Sequence, residues 1–197
     1  MGVRTIQGMA LTVGDREIRP LTADEVMRMV EAGILEDGER VELLHGALTR
    51  MTGQSPGHVE VVTKLLRWLD PTGNAARFVV RAQHPLVVAD ETSLPEPDIA
   101  VVEPGDYARR HPSSALLVIE VAVSSLRTDT KIKPALYAAT GVPELWVMDV
   151  DGRHVRIFSE PGPDGYAAER VAGPDERLRP RAVDVAPLDL AALFAGL

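Results

Sequence analysis

Apolar residues recur along the chain at helical spacing in several segments. A helix is predicted over residues 21–33, because Thr22 and Glu25 have the spacing of a capping box. After the break at Ser55-Pro56-Gly57, apolar residues at helical spacing predict a second, one-faced helix that ends near Pro71. Shorter helices are predicted at residues 135–140 and at residues 188–194.

Short apolar runs between these segments predict strands. Residues 41–44 and 47–51 form a predicted hairpin with its turn at His45-Gly46. The runs at residues 99–102, 116–123 and 145–150 are apolar enough for the middle of a sheet. The turn at Asp151-Gly152 joins the last run to a strand at residues 155–159. Further strands are predicted at residues 78–81, 86–88 and 166–171.

The order of these elements predicts one α/β domain, with a mixed sheet flanked by helices. The length of 197 residues suits a single domain, and no internal repeat or linker is present. We expect a domain over residues 21–197 with its core at 40–160, preceded by an N-terminal extension of residues 1–20.

Composition excludes several kinds of chemistry. The chain has no cysteine, so disulfides, thiolate nucleophiles and cysteine-bound metals are excluded, and any metal must bind oxygen or imidazole. The net charge of −8 argues against unselective coating of nucleic acid but allows a local basic cleft. No apolar run approaches the ~20 residues that cross a bilayer, and residues 1–10 lack the layout of a signal peptide. We therefore expect a cytoplasmic protein without a membrane association.

Two carboxylates occupy unusual positions in the predicted sheet. Asp98 follows Pro97 at the start of one apolar run, and Glu120 interrupts another. A lone ionised carboxylate in a buried strand costs several kcal/mol, so Glu120 must be paired, protonated, exposed at an edge or bound to a cation. If the two strands are neighbours, both carboxylates converge and a divalent ion would relieve their repulsion. A salt bridge with a nearby arginine or lysine is the alternative for Glu120.

One further motif points to a different chemistry. Gly53-Gln54-Ser55-Pro56-Gly57 matches the nucleophile elbow of serine hydrolases. The residue after the serine of such an elbow supplies an N–H to the oxyanion, and Pro56 has none. The motif therefore favours a turn in which Ser55 caps the next helix.

The spacing of the acidic residues supports a family resemblance. Pro97-Asp98, then Glu120, then a lysine soon afterwards is the PD-(D/E)xK pattern of metal-dependent nucleases. Residues 42–150 resemble the Uma-type restriction endonuclease family, a branch of the PD-(D/E)xK superfamily. The resemblance is carried by Glu42-Leu43-Leu44-His45-Gly46, by Ser55 with His58, by the two acidic segments, and above all by residues 129–149, DTKIKPALYAATGVPELWVMD.

The resemblance implies a restriction-endonuclease-like fold with an N-terminal helix and hairpin. It implies that Asp98 and Glu120 bind Mg2+ or Mn2+, that the carbonyl of Val121 adds a ligand, and that Glu42 assists directly or through water. Position 122 is Ala where the common motif has its lysine, so the lysine role passes to Lys133 in the following helix, with Lys131 in reserve. That lysine would position and help deprotonate the attacking water, or would steady the phosphorane charge. Alternatively, both lysines are solvated cations at a helix start.

The function implied by the resemblance is hydrolysis of DNA phosphodiester bonds by an endonuclease that uses a metal-activated water. By analogy, the enzyme would act as a homodimer, because one copy of this size cuts one strand. The alternative is an inactive nuclease-like module that binds nucleic acid or a partner protein. The sequence leaves open whether the substrate is DNA or RNA.

Overall fold

A computed structural model describes residues 12–13, 15–36, 38–51, 53–69, 73 and 76–197. Most of the predicted N-terminal extension, including the segment examined for a signal peptide, lies outside the described residues. Pro71, the predicted end of the second helix, also lies outside them. Among the residues described, no helix has both the length and the apolar character needed to cross a membrane.

The described residues contain five helices and twelve strands. The helices are α1 (Ala23–Glu31), α2 (Pro56–Leu69), α3 (Leu126–Lys131), α4 (Lys133–Ala139) and α5 (Leu190–Phe194). The strands are β1 (Thr12–Val13), β2 (Arg16–Glu17), β3 (Val41–Leu44), β4 (Ala47–Arg50), β5 (Val79–Ala82), β6 (Ile99–Val102), β7 (Leu117–Ala122), β8 (Glu144–Asp149), β9 (His154–Gly162), β10 (Gly165–Ala172), β11 (Arg177–Leu178) and β12 (Leu188–Asp189).

The central sheet has six strands in the order β10-β9-β8-β7-β6-β5. Only β7 and β8 are parallel, and the other neighbouring pairs are antiparallel. A parallel pair needs a crossover connection, which α3 and α4 supply here. The predicted mixed α/β sheet with flanking helices is confirmed.

The register of β6 and β7 brings the two unusual carboxylates together. Ile99 pairs with Ile119 in the antiparallel ladder. One step further along, Asp98 therefore lies across from Glu120, and antiparallel partners point to the same face of a sheet. The expectation that the two acidic segments are neighbours is confirmed.

Alternate residues of β7 serve two separate cores. Leu117, Ile119 and Val121 pack into the larger core beneath α2 and α5. Val118 and Ala122 pack into a second core beneath α4, and Glu120 lies between them on that face. The period of two along a strand thus places the buried acid on the α4 side of the sheet.

The hairpin β3–β4 lies beside the sheet and carries Glu42. Its turn is confirmed at His45-Gly46, whose φ angles of 48° and 80° suit a tight turn of primed type. A Cβ at Gly46 would collide with Pro20, so this position requires glycine. A bridge between Leu43 and Leu94 anchors the hairpin to the rest of the domain.

The capping box at Thr22 and Glu25 is confirmed at the start of α1. The strand predicted at residues 86–88 is wrong. Leu86 N–H donates to Pro95 O and Val87 N–H donates to Pro112 O, so the segment is bonded to two loops. Its apolar character comes from the burial of Leu86 and Val88 in the second core, and prolines lack the N–H that a ladder needs.

The predicted closing helix begins later than expected. Leu188–Asp189 is the short strand β12, and the Asp189 side chain accepts a hydrogen bond from Ala192 N–H at the start of α5. An aspartate at this position is a good helix cap, and it fixes the boundary.

Candidate active site

A pocket of about 300 Å³ lies where the hairpin β3–β4, the start of α2, the end of β7 and the helices α3 and α4 meet. Its walls include the acidic side chains of Glu42, Asp98, Glu120 and Asp129, and the basic side chain of Lys133. All five residues are buried. The pocket therefore brings together residues that are distant in the sequence, and each of them has an ionisable side chain that is costly to bury.

Lys133 lies at the centre of this charged group. Its Nζ is 3.1 Å from Glu42 Oε2, 3.1 Å from Glu120 Oε1 and 3.4 Å from Asp129 Oδ1. An ammonium group has three N–H donors, so each carboxylate can receive one. We call Lys133, Glu42, Glu120 and Asp129 the Lys133 cluster.

Local sequence explains how Lys133 reaches this position. Pro134 directly follows Lys133 and lies in the first turn of α4, where its missing N–H has no cost. Lys133 is 4% exposed, so the interpretation of it as a solvated cation is wrong. Lys131, the reserve candidate, ends α3 with an exposed side chain and lies outside the pocket walls.

The charges of the cluster shift one another's pKa values. Burial raises the pKa of Glu120 well above its usual range; the nearby carboxylates add to this shift and Lys133 opposes it. Burial likewise raises the pKa of Asp129. Burial alone would lower the pKa of Lys133, but Glu120, Glu42 and Asp129 outweigh burial and raise it. Lys133 is therefore a permanent cation at ordinary pH.

The salt bridge considered for Glu120 is present, and its partner is Lys133. Glu120 Oε1 also accepts a hydrogen bond of 2.7 Å from the Tyr137 hydroxyl. Burial, followed by the charge of Glu120, raises the pKa of Tyr137 well above its usual range, so the hydroxyl stays a donor. Both partners use Oε1, which leaves Oε2 of Glu120 available to a further group.

Asp98 is contacted by groups from two different elements. Its Oδ2 accepts a hydrogen bond of 2.8 Å from Val121 N–H, and its Oδ1 lies 2.9 Å from His58 Nε2. His58 lies in the first turn of α2, and the backbone N–H of His58 donates to Ser55 Oγ at 3.3 Å. The prediction that Ser55 caps this helix is confirmed.

Three residues of the site were not assigned a role from the sequence: Tyr137, Asp129 and His58. Asp129 and Tyr137 each lie four positions from Lys133, a spacing that offered a polar signal, but the break between α3 and α4 lies between Asp129 and Lys133. His58 contacts Asp98 across 40 positions of sequence, and no local pattern announces such a pairing.

The donor set of the pocket suits a hard divalent cation. Four buried carboxyl groups face a single buried ammonium, so oxygen donors outnumber the one cation. In the ranges that the structure describes, no group of three or more His, Asp and Glu side chains is arranged to hold a metal ion. Magnesium is commonly bound by one or two carboxylates with water completing its shell, and Asp98 and Glu120 are the two carboxylates predicted from the sequence for this role.

A comparison with known protein families identifies the family of this chain. A family model described as "Uma2: Putative restriction endonuclease" matches residues 23–191, a range that includes every residue of the pocket walls. The chain belongs to the Uma2 family. The Uma-type resemblance read from the sequence is confirmed, and the chain is a member of a restriction endonuclease-like nuclease family.

One solved structure supports the fold assignment for this Uma2 chain. It is described as a "putative nuclease belonging to DUF820" from Anabaena variabilis, and it superposes with a TM-score of 0.72 at 16% sequence identity. The match covers 89% of this chain and 98% of that one. The search of curated proteins gave no match. The restriction-endonuclease-like fold class is confirmed, and the roles of individual residues stay predictions.

Proposed function

We propose that this Uma2 chain is an endonuclease that depends on a divalent metal and hydrolyses phosphodiester bonds of DNA in the pocket of the Lys133 cluster. The observation that carries this proposal is the convergence of Asp98, Glu120 and Glu42 with one buried lysine. A nuclease family and a carboxylate-rich pocket point to the same class of reaction.

Asp98, Glu120 and the carbonyl of Val121 would hold Mg2+ or Mn2+, with Glu42 assisting directly or through water. A metal bound there would polarise a phosphoryl oxygen and make a bound water more acidic. The hydrogen bond from Val121 N–H and the close contact with His58 Nε2 keep the Asp98 carboxylate in a fixed orientation. The hydroxyl of Tyr137 does the same for Glu120.

The charge state of Lys133 narrows its role. A general base must lose its proton near the working pH, and the raised pKa of Lys133 disfavours that loss. We therefore assign Lys133 to steadying the negative charge that gathers on the phosphoryl group during attack. Such preorganised charge is worth about 10²–10³ in rate when one donor is removed.

Cleavage assays with paired variants test the proposal. Purified protein is incubated with supercoiled and with single-stranded DNA in the presence of Mg2+ or Mn2+. We expect Asp98→Asn, Glu120→Gln and Lys133→Met to lose at least ~100-fold in rate. The matched controls are Lys131→Met and Glu103→Gln, whose side chains are exposed outside the pocket. An inert wild type, or site variants that cut as fast as the controls, would refute the proposal.

Metal binding can be measured without any substrate. Calorimetric titration with Mn2+ is expected to give one binding event that Glu120→Gln weakens at least about tenfold, or about 1.4 kcal/mol. Glu103→Gln should leave the dissociation constant unchanged. Equal affinity in both variants would remove Glu120 from the ligand set.

A second candidate function is a nuclease-like module that binds nucleic acid without cutting it. It is favoured by the ion pair and hydrogen bond that already occupy Glu120 Oε1. It predicts binding of DNA in chelator together with no cleavage in Mg2+ or Mn2+. The cleavage assay above separates the two candidates.

The proposal includes a homodimer, because two pockets are needed to cut both strands of a duplex. Light scattering should then give twice the chain mass of 21.3 kDa. A monomer at working concentration, with or without DNA, would contradict this part alone.

A further inference from the structure

Two arginines line the pocket at its exposed rim. Arg40 directly precedes β3 and Arg50 ends β4, and both side chains are exposed while lining the same pocket as the buried carboxylates. Val41 pairs with Arg50, and Met51 N–H donates to Arg40 O at 2.9 Å. The hairpin ladder therefore holds the backbones of the two residues close together at its open end.

Neither guanidinium group has a hydrogen bond or ion pair within the part of the chain that the structure describes. Other exposed arginines, such as Arg19 and Arg170, are engaged with glutamates. The positive charge of Arg40 lowers the pKa of the nearby Glu96 carboxyl, but burial and the charge of Glu42 outweigh this effect and raise that pKa overall. The two rim arginines thus present positive charge whose hydrogen-bond donors are unused.

An unused donor also lies in the pocket wall. The side-chain nitrogen of Gln54 is buried, lines the pocket and has no hydrogen-bond partner among the described residues. Buried amide donors are normally satisfied, so an unsatisfied one in a residue that lines a pocket points to a ligand that carries acceptor oxygens. Gln54 belongs to the segment between Arg50 and α2, so it lies close to Arg50 along the chain.

The pocket floor cannot attract a nucleic acid by itself. Its buried carboxylates outnumber its one ammonium group, and the whole chain carries a net charge of −8. A phosphodiester backbone therefore needs positive charge at the entrance, because electrostatic attraction supplies most of the sequence-independent affinity for DNA. Guanidinium groups suit this task, since their paired N–H donors match two phosphate oxygens.

We propose that Arg40 and Arg50, with Gln54 beside them, bind the phosphodiester backbone of DNA at the rim and bring one phosphate over the carboxylate floor. The proposal rests on the function proposed above and names its substrate contacts. The sequence alone gives no reason to prefer these arginines over the others, because only the fold brings them to the pocket.

Binding without chemistry gives the direct test. Fluorescence anisotropy of a labelled duplex of about 20 base pairs is measured in EDTA over a range of salt concentrations. We expect the double variant Arg40→Gln/Arg50→Gln to bind at least about tenfold more weakly, with a salt slope smaller by about two. Gln54→Leu should lose less, because it removes a neutral donor.

The matched control is Arg109→Gln/Arg110→Gln, an exposed arginine pair that does not line the pocket. It removes the same net charge, and its affinity should stay within about twofold of the wild type. Because all four arginines are exposed, their substitution should leave thermal unfolding unchanged. An equal loss in both double variants would show a general charge effect and overturn the proposal.

The remaining outcomes separate this proposal from the function on which it rests. A wild type that binds DNA through the rim arginines but cuts nothing in Mg2+ or Mn2+ keeps the rim site and refutes the nuclease. A wild type that cuts DNA while the rim variant keeps its KM refutes the rim site alone. A wild type that does not bind the duplex overturns the rim site. If the rim arginines instead bind a single-stranded RNA of the same length in preference to the duplex, the assignment of the site to DNA is overturned.

Discussion

The two faces of strand β7 differ in what holds them in place. On one face, Leu117, Ile119 and Val121 pack beneath α2 with no polar partner. On the other face, Glu120 is equally buried, at 2% exposure, and is held by Lys133 and Tyr137. Burial of an apolar side chain is favourable in itself, whereas burial of a carboxylate is favourable only when its partners are present.

Within this single strand, one face contributes to the stability of the fold and the other carries the groups of the candidate site. The apolar face needs shape alone, so its contribution does not depend on pH. The acidic face keeps a group of like charges together around one ammonium, an arrangement that destabilises the fold if any member is lost. Such a group is retained at a site where a charged substrate or ion is expected, which is why the comparison leads to the pocket.

Removal of the ammonium should have the largest effect on stability. Lys133→Met leaves three buried carboxylates without their cation, and we expect a loss of about 3–5 kcal/mol in the free energy of unfolding at pH 8. Urea unfolding measures it, and Lys131→Met, with its exposed side chain, should change stability by less than ~0.5 kcal/mol. Equal stability of the two variants would mean that the cluster is solvated.

The same loss should depend on pH in a defined direction. The pKa values of Glu120 and Asp129 are raised in the folded state, so lowering the pH lets the folded chain bind protons before the unfolded chain does. Without Lys133 these pKa values rise further, and the destabilisation should therefore be smaller at pH 5 than at pH 8. Addition of Glu120→Gln to Lys133→Met should recover part of the loss, because it removes one unpaired charge.

The matched change on the apolar face is Ile119→Ala. Ile119 is fully buried next to Glu120 in sequence, and its truncation should cost about 3 kcal/mol through lost transfer energy and a cavity. The cost should be the same at pH 5 and pH 8, since no titratable group faces it in the core. A clear pH dependence in urea unfolding would show that the two faces are coupled.

Sequence patterns were sufficient to predict the strands whose side chains are buried because they are apolar. The apolar runs predicted β6, β7 and β8, and Glu120 stood out as the polar residue that interrupts the second of them. The run at residues 86–88 misled, because its hydrogen bonds go to loops and burial alone made it apolar. Apolar character indicates burial, and it cannot reveal which backbone partner is used.

The acidic face was predictable only in part. Asp98 and Glu120 were selected by their positions in the apolar runs, and Lys133 and Glu42 by resemblance. The structure brings all four into one pocket. The sequence pattern could not predict the contact of His58 with Asp98 or the hydrogen bond of Tyr137 to Glu120. Tertiary contacts decide which polar side chains meet. The rim arginines were missed for the same reason.

Tyr137→Phe tests the acidic face by a single atom. The change removes the hydroxyl that donates to Glu120 and keeps the ring, which is fully buried. A hydrogen bond to a charged group is worth about 1.5–3 kcal/mol, so we expect a loss near 2 kcal/mol in urea unfolding. The control Tyr107→Phe removes a hydroxyl that donates to the Glu103 carbonyl at the surface, and it should cost less. Equal costs would contradict a special role for the Glu120 contact.

Ser55→Ala should have the smallest effect, and it tests the helix that joins the two faces. α2 covers the apolar core, yet its first turn presents His58 to Asp98 at the edge of the pocket. Loss of the Ser55 cap should cost about 1 kcal/mol, or about 2 to 4 °C in melting temperature. Because His58 keeps its place in the helix, cleavage of DNA should fall by less than tenfold, a change of ~1.4 kcal/mol. Abolished activity in a folded Ser55→Ala protein would instead give the serine a chemical role and would reopen the nucleophile-elbow interpretation.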